Sequence, residues 1–332
     1  MEMTGLLELR EKLRIFYGKY ELYVAAGIKF MLGILVFSII NSQTGYMEQL
    51  NQMAVVLLLS LVCAFLPVNA MVVLACGQIL LHLYALSLEA CAIGLCLFVL
   101  LLFLYGKFAP ENGYSVILTS VLCVFRVPQV MPVATGMLKG PSAYLSVLCG
   151  GVTYFYLRGV QENLVNFTST EETEGLAKFT AALKIFIGNK EMYLVLAAFF
   201  ITSIVVYLIR RQSINYAWRI ALFVGNMTEL VILIVGYILL DMTDQALWVL
   251  AGILLSIVVS LVLEFFFYNL DYSRVERVQF EDDEYYYFVK AVPKVFVSRK
   301  DKRVKRITPK KRVAAGRREL AEELDIDEDL LD

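Results

Sequence analysis

The chain has 332 residues, of which 59% are hydrophobic and only 18% are charged, and its formal net charge is −1. Soluble domains usually carry about 25% charged residues, so this composition excludes an ordinary soluble protein. The charges separate an apolar region at residues 22–268 from a polar tail at residues 270–332. We therefore predict an all-α, polytopic helical membrane protein with a small cytoplasmic tail.

Residues 1–21 are predicted to form an amphipathic N-terminal helix, because apolar side chains recur there every three or four positions. These apolar residues are Leu6, Leu9, Leu13, Phe16 and Tyr20. Such a helix can lie in the membrane interface or dock on the protein's own tail. The charged residues between them interrupt any long apolar run, so this segment is not a secretory signal.

The first apolar span, residues 22–40, carries Lys29 in its first half. A lysine near a helix end usually extends its ammonium group to the membrane surface. The alternative is that Lys29 pairs with a carboxylate inside the membrane, which would make it a transport residue. The connector 41–52 has no Lys or Arg, whereas the N-terminal flank is basic. The positive-inside rule therefore places the N-terminus in the cytoplasm.

Three apolar segments follow, at residues 53–66, 70–86 and 88–106. The first is shorter than the ~20 residues that a membrane-spanning helix needs. Three crossings fit this pattern, and so does a re-entrant pair followed by one crossing.

Residues 110–158 contain four of the seven prolines of the chain. Proline disrupts a helix interior, and broken backbone must be buried in protein or line a wet cavity when it lies within a membrane. Many transporters build their midplane site from such discontinuous helices. Arg126, Gln129 and Thr135 in segment 126–141 are therefore substrate candidates, although Arg126 equally suits a loop at the membrane surface.

Further apolar segments occupy residues 192–209, 217–240 and 246–268, which brings the expected number of spans to about eight. The segment 217–240 contains Asn226 and Glu229. A carboxylate at that depth is costly and usually functional, so both residues are transport candidates. The alternative is that a neighbouring lysine or hydroxyl holds Glu229 for packing alone.

Residues 15–23 are echoed by residues 185–193, with five identical positions, and each copy precedes an apolar span. This predicts an internal repeat with halves at about 15–107 and 185–268, a common plan among transporters. If the tail is cytoplasmic, the charge rule makes the two copies inverted.

The tail alternates apolar and polar residues on either side of an acidic turn, which predicts a β-hairpin at residues 275–292. A basic run at 299–318 and an acidic end at 319–332 follow. The basic run suits anionic lipid headgroups, or it is a solvated linker. Nucleic acid is not expected as a partner, since the acidic end would compete. The candidates for headgroup binding are Arg299, Lys300, Lys302, Arg303, Lys305 and Arg306.

The six cysteines lie in apolar stretches without a C-x-x-C pattern, and the single histidine, His82, lies outside any polar cluster of the sequence. We therefore expect no metal site and no cofactor. The spans also show no paired carboxylates and no Ser/His arrangement, so we do not expect an enzyme.

Several stretches together carry a resemblance: 40–47, 63–69, 107–113 and 280–287. They resemble a family of uncharacterised bacterial polytopic membrane proteins that are often labelled ABC transporter permeases. The resemblance implies a permease but supplies no binding residues. The chain departs from importer-type permeases, because the segment nearest to their coupling loop, residues 89–94, has the wrong spacing. A Walker A pattern is also missing, so any ATPase would be a separate chain.

Two hypotheses follow. The first is a transporter or permease subunit that moves an unidentified solute through a site near residues 126–141. The second is a membrane scaffold or assembly factor that binds a partner, such as a cell-envelope protein, through its tail at 270–332.

Overall fold

The computed structural model describes residues 2–164, 187–267, 276–281 and 286–291. A short 3₁₀ turn, Thr243–Gln245, lies between the helices named α9 and α10 in the next sentence. The helices are α1 (Glu2–Thr44), α2 (Met53–Phe65), α3 (Val68–Leu86), α4 (Leu88–Phe108), α5 (Gly113–Val124), α6 (Val130–Leu138), α7 (Ala143–Glu162), α8 (Lys190–Arg210), α9 (Ala217–Leu239) and α10 (Ala246–Phe267).

Six of the described helices, namely α1, α3, α4, α8, α9 and α10, are long and apolar enough to cross a membrane. Helices α2 and α5 are apolar but have only 13 and 12 residues. Large apolar side chains such as Phe65, Phe103 and Leu239 face outward, and so extensive an apolar exterior fits a bilayer rather than water. The prediction of a multi-pass helical membrane protein is confirmed. The count of about eight spans stays a prediction.

Helix α1 is continuous from the N-terminal segment into the first apolar span, except for a kink at Tyr20, whose φ and ψ are −120° and 23°. On the N-terminal side of the kink, Leu6, Leu9 and Leu13 are exposed. The guanidinium of Arg10 donates a hydrogen bond to the carbonyl oxygen of Phe265 (3.1 Å). This contact ties the first part of α1 to the end of α10.

A polar cluster joins the end of α1 to α3. The Asn41 amide oxygen accepts a hydrogen bond from Gln78 Nε2 (2.5 Å) and lies 3.0 Å from His82 Nε2. The backbone amide of Met47 donates to His82 Nδ1 (3.2 Å), and Asn41 Nδ2 donates to the Leu50 carbonyl (2.9 Å). The expectation that His82 stands apart from polar residues is therefore wrong. Its partners come from a distant part of the chain.

Helix α7 runs antiparallel to both α4 and α8, because its last turns contact their first turns. The Tyr156 hydroxyl donates to the Ala90 carbonyl at the start of α4 (2.6 Å). The Arg158 guanidinium pairs with the Glu191 carboxylate at the start of α8 (3.0 Å). The ends of α4 and α8 therefore lie at the same end of the bundle as the start of α7. We call this the basic end, because it carries Lys107 and Arg210.

Helices α5 and α6 form a hairpin that starts and finishes at the basic end. Before α5, the Pro110 carbonyl accepts a hydrogen bond from Asn69 Nδ2 (2.8 Å) at the start of α3. After α6, the Lys139 carbonyl accepts one from the Arg210 guanidinium (2.8 Å) at the end of α8. The connecting turn, residues 125–129, points to the opposite end, where the Arg126 guanidinium lies 5.1 Å from the Trp248 ring centre at the start of α10.

The strands Glu276–Glu281 and Tyr286–Ala291 belong to a separate compact unit and pair antiparallel, with Glu276 opposite Ala291. The hairpin expected over residues 275–292 stays a prediction, because residues 282–285 lie outside the described residues. The basic run and the acidic end also lie outside them, as do the proposed headgroup ligands and the first two residues of the second repeat copy.

Candidate functional site

A cavity lies beside the turn of the α5–α6 hairpin, near the end of the bundle opposite the basic end. Its volume is about 590 Å³ when its mouth is included. Four further helices, α7 to α10, complete its wall around the hairpin turn. The polar and aromatic residues that line it include Arg126, Gln129, Arg158, Glu191, Tyr237 and Trp248.

An ion-pair cluster connects three helices on one side of this cavity. Arg158 on α7 donates to Glu191 on α8 (3.0 Å) and to Glu162 one turn further on α7 (2.8 Å). The Tyr237 hydroxyl on α9 lies 3.4 Å from the other Glu191 oxygen. Glu191 is buried and sits in the first turn of α8, where the helix dipole also favours a negative charge. The cluster therefore fixes the relative positions of α7, α8 and α9 at the cavity.

Arg126 occupies the turn of the hairpin in a conformation that non-glycine residues rarely adopt. Its φ is 60°, and a left-handed conformation costs roughly 1–2 kcal/mol for a residue with a side chain. Its guanidinium stacks on Trp248, a favourable cation–π contact. Among the described residues it has no carboxylate within ion-pair distance. This positive charge is therefore available to an anionic group that enters the cavity.

Gln129 lies where the hairpin turn enters α6 and packs tightly against α10. Its carbonyl accepts a hydrogen bond from Ser256 Oγ (3.2 Å). A Cβ on Gly252 would lie 2.1 Å from Gln129 Oε1, so a larger residue at 252 would displace the end of the Gln129 side chain. The same Oε1 is buried without a hydrogen-bond partner among the described residues. Gln129 thus lines the cavity while its amide oxygen is packed against α10.

Asn226 and Glu229 lie deeper, on the buried side of α9, and both side chains are 0% exposed. The Asn226 Nδ2 donates within its own helix to the Leu222 carbonyl (2.8 Å). Its Oδ1 and both carboxylate oxygens of Glu229 have no partner among the residues described. Among the described residues, Glu229 makes no ion pair with a lysine and no hydrogen bond to a hydroxyl.

The remaining predicted residues lie elsewhere. The Lys29 ammonium donates to the Leu66 carbonyl (3.1 Å), at the end of α2, and makes no ion pair with Glu229. Thr135 is buried in α6, where its hydroxyl donates to the Met131 carbonyl (2.8 Å). The structure thus brings Arg126 and Gln129 together at the cavity, places Asn226 and Glu229 on one helix below it, and separates Lys29 from both.

Four residues of this region were not singled out from the sequence: Arg158, Glu191, Thr202 and Tyr237. A signal existed for Glu191, because it is one of the five identical positions of the repeated motif. Its counterpart in the first copy, Glu21, is exposed on α1. Thr202 and Tyr237 lie in apolar stretches of α8 and α9 and belong to no recognisable sequence motif.

No family model, curated protein or solved structure matches this chain. The candidate site therefore depends on the chemistry and geometry of its own residues.

Proposed function

We propose that this protein is a membrane transporter, which moves a small solute through the cavity at the turn of the α5–α6 hairpin. One observation carries the proposal: the hairpin starts and finishes at the basic end, while its turn lines a polar cavity near the opposite end. Transporters commonly place binding sites at such breaks in helices.

Neither helix of the α5–α6 hairpin is long enough to cross a bilayer. Helix α5, with 12 residues, is about 18 Å long at 1.5 Å per residue, whereas the hydrocarbon core is about 30 Å thick. We therefore treat α5–α6 as a re-entrant pair. The basic residues at its open end favour a cytoplasmic position for that end under the positive-inside rule, and the turn would then reach toward the outer surface.

The cavity suits a small polar solute that carries an anionic group. Arg126 offers a guanidinium without a carboxylate partner among the described residues, and guanidinium groups bind carboxylates and phosphates through two parallel hydrogen bonds. Trp248 supplies an apolar surface beside it. The Arg158–Glu191 pair already balances its own charge and is better suited to holding the helices than to binding solute.

Accessibility of the hairpin turn tests transport without knowledge of the solute. A transporter must expose its site to each face of the membrane in turn, whereas a scaffold has no need to. We would replace all six cysteines, introduce Val127→Cys at the turn, reconstitute the full chain in liposomes and apply a membrane-impermeant maleimide from each face. We expect labelling from both faces. Labelling from one face alone would contradict the proposal.

A second single-cysteine variant controls for leaky or inverted liposomes. Ser142→Cys lies at the basic end, is exposed and is outside the hairpin. It should react from the basic face only. Size-exclusion chromatography of each variant shows whether it is folded before labelling is interpreted.

The tail enters this proposal as the docking segment for a separate ATPase or a cell-envelope protein, if the chain works as a permease subunit. Purification of the full chain and of a variant lacking residues 299–332 from native membranes, in mild detergent, tests it. A stoichiometric ATPase that co-purifies with the full chain and is lost with the deletion would support a permease subunit that docks its ATPase on the tail. A different partner that disappears with the deletion would favour the scaffold.

A further inference from the structure

Helices α8 and α9 pack closely, and their glycines fix the register between them. A Cβ on Gly225 would lie 2.2 Å from Val206 Cγ2, and one on Gly236 would lie 2.1 Å from Leu194 Cδ1. Residues 206 and 194 lie toward opposite ends of α8, so the two helices are antiparallel. The contact follows one stripe of each helix.

Glu229 and Thr202 lie on the facing stripes of α9 and α8 near the centre of this contact, where Thr202 Cγ2 is 3.9 Å from the position of a Cβ on Gly225. Glu229 is one turn beyond Gly225 on the same stripe of α9, and Thr202 is one turn before Val206 on the same stripe of α8. Both are 0% exposed. Thr202 Oγ1 and both carboxylate oxygens of Glu229 lack hydrogen-bond partners among the residues that the structure describes. Such orphaned groups are rare in proteins and call for an explanation.

The surroundings of Glu229 supply no compensating charge. The elements packed against α9 are α6, α8, α10 and the 3₁₀ turn, and α6 has no titratable residue. On α10, Glu264 pairs with Arg219 (2.9 Å) near the basic end, far from Glu229 along α9. The titratable residues of these elements and of α9 itself all lie toward the helix ends: Lys190, Glu191, Tyr193, Tyr207, Arg210, Arg219, Tyr237, Asp244 and Glu264.

An ionised carboxylate without a partner in such a place would be very costly, so a cation must neutralise it when it is closed off. A proton suits the site better than a metal ion. One carboxylate, one hydroxyl and the Asn226 amide oxygen fall short of the roughly 6–8 oxygen ligands that Ca²⁺ takes. A protonated carboxyl, in contrast, needs only one acceptor for its hydrogen. Glu229 and Thr202 share no hydrogen bond in this structure, so the Thr202 hydroxyl would become that acceptor through a rotation of the side chains.

We infer that Glu229 is the proton-binding residue of the transport cycle, with Thr202 as its hydrogen-bond partner, so that solute movement is coupled to a proton. This inference rests on the proposed transport function. Glu229 lies two turns below Tyr237 on α9, about 12 Å along the helix. Leu233, only 1% exposed, lies between them. The proton therefore passes from cavity water to the Glu229 carboxylate when that layer opens, and leaves when the site faces the other side.

Infrared spectroscopy of the full chain in lipid tests proton binding directly. The carbonyl stretch of a protonated carboxylic acid should change with pH in the wild type and be lost in Glu229→Gln. The matched control is Glu264→Gln, which removes a carboxyl group near the basic end and should keep the band. If no band disappears in Glu229→Gln, the proton site is refuted whatever the labelling shows.

The Val127→Cys labelling assay, repeated across a pH series, tests the coupling. We expect the ratio of labelling from the two faces to change about tenfold with pH, within the usual range for coupled sites. The change should persist in Glu264→Gln and vanish in Glu229→Gln.

The two proposals fail in different ways. A ratio that does not respond to pH, or responds equally in Glu229→Gln, overturns the coupling and leaves the transport function standing. Labelling from one face alone overturns the transport function and the coupling with it.

Discussion

The cluster of Asn41, Gln78 and His82 and the facing pair of Thr202 and Glu229 are both buried among apolar helices, yet their hydrogen bonding differs. In the first, the Asn41 side chain is hydrogen-bonded to three partners, and only the side-chain oxygen of Gln78 lacks a hydrogen bond. In the second, every side-chain oxygen lacks a partner among the described residues. Satisfied networks hold a structure together, whereas unsatisfied groups reduce stability. Under the proposed function, the contrast separates polar residues that stabilise the fold from those that bind a ligand.

The largest effect on stability should come from Asn41→Leu. It removes three hydrogen bonds and leaves His82, Gln78 and the Leu50 carbonyl without their partner, so we expect a loss of about 3 kcal/mol in the free energy of unfolding. Equilibrium unfolding in mixed micelles measures it. The control, Ser42→Ala, removes only a bond to the carbonyl of the preceding helical turn and should change stability by less than about 0.5 kcal/mol.

Gly225→Ala should have the next largest effect, because its Cβ would overlap Val206 and push α8 away from α9. We expect a loss of about 2 kcal/mol and a weaker pH dependence of Val127→Cys labelling, since Glu229 and Thr202 would no longer face each other. Gly77→Ala in α3 is the matched control, because a Cβ on Gly77 would meet no described atom within 4 Å. It should be neutral or stabilise by about 0.5 kcal/mol.

Arg158→Met should have a smaller effect. It leaves the Glu191 carboxylate buried without its cation, but the Arg158 side chain is 30% exposed, so water offsets part of the cost. We expect a loss of about 1.5 kcal/mol. In a double-mutant cycle with Glu191→Gln, the losses should fall short of additivity by about 1 kcal/mol. Additive losses would mean that this pair does not fasten α7 to α8.

Glu229→Gln should have the smallest effect on the free energy of unfolding. It is the most direct test of the difference between the two buried polar regions. No hydrogen bond in the described structure is lost, and a neutral amide is cheaper to bury than a charge. We expect the free energy of unfolding to change by less than about 0.5 kcal/mol, or to rise. A loss as large as that of Asn41→Leu would show that Glu229 is structural, and the comparison between the two regions would fail.

The sequence was most informative about the helices, because the composition of a single apolar segment determines whether it forms one. Apolar runs must become helices in a bilayer because their backbone groups need internal partners. The expected spans 88–106 and 217–240 accordingly correspond to Leu88–Phe108 and Ala217–Leu239. The clustered prolines also located the broken segment, although the sequence left open whether it crosses or re-enters.

The sequence was least informative about which side chains contact each other in the fold. Arg158 and Glu191 are separated by 33 residues and meet only because α7 and α8 are antiparallel. His82 and Asn41 are separated by 41 residues and meet only when α3 packs on α1. Glu229 could be singled out for its cost in a membrane, but its lack of a partner depends on every helix around it.

The length of α2 has a consequence for the membrane itself. Its 13 residues extend about 20 Å, and its apolar side chains Leu58, Leu61 and Phe65 face outward. If α2 crosses the membrane, lipid chains beside it would have to shorten or tilt to match an apolar belt about 10 Å thinner than an average bilayer core. Such hydrophobic mismatch favours thin, short-chain lipids around this face.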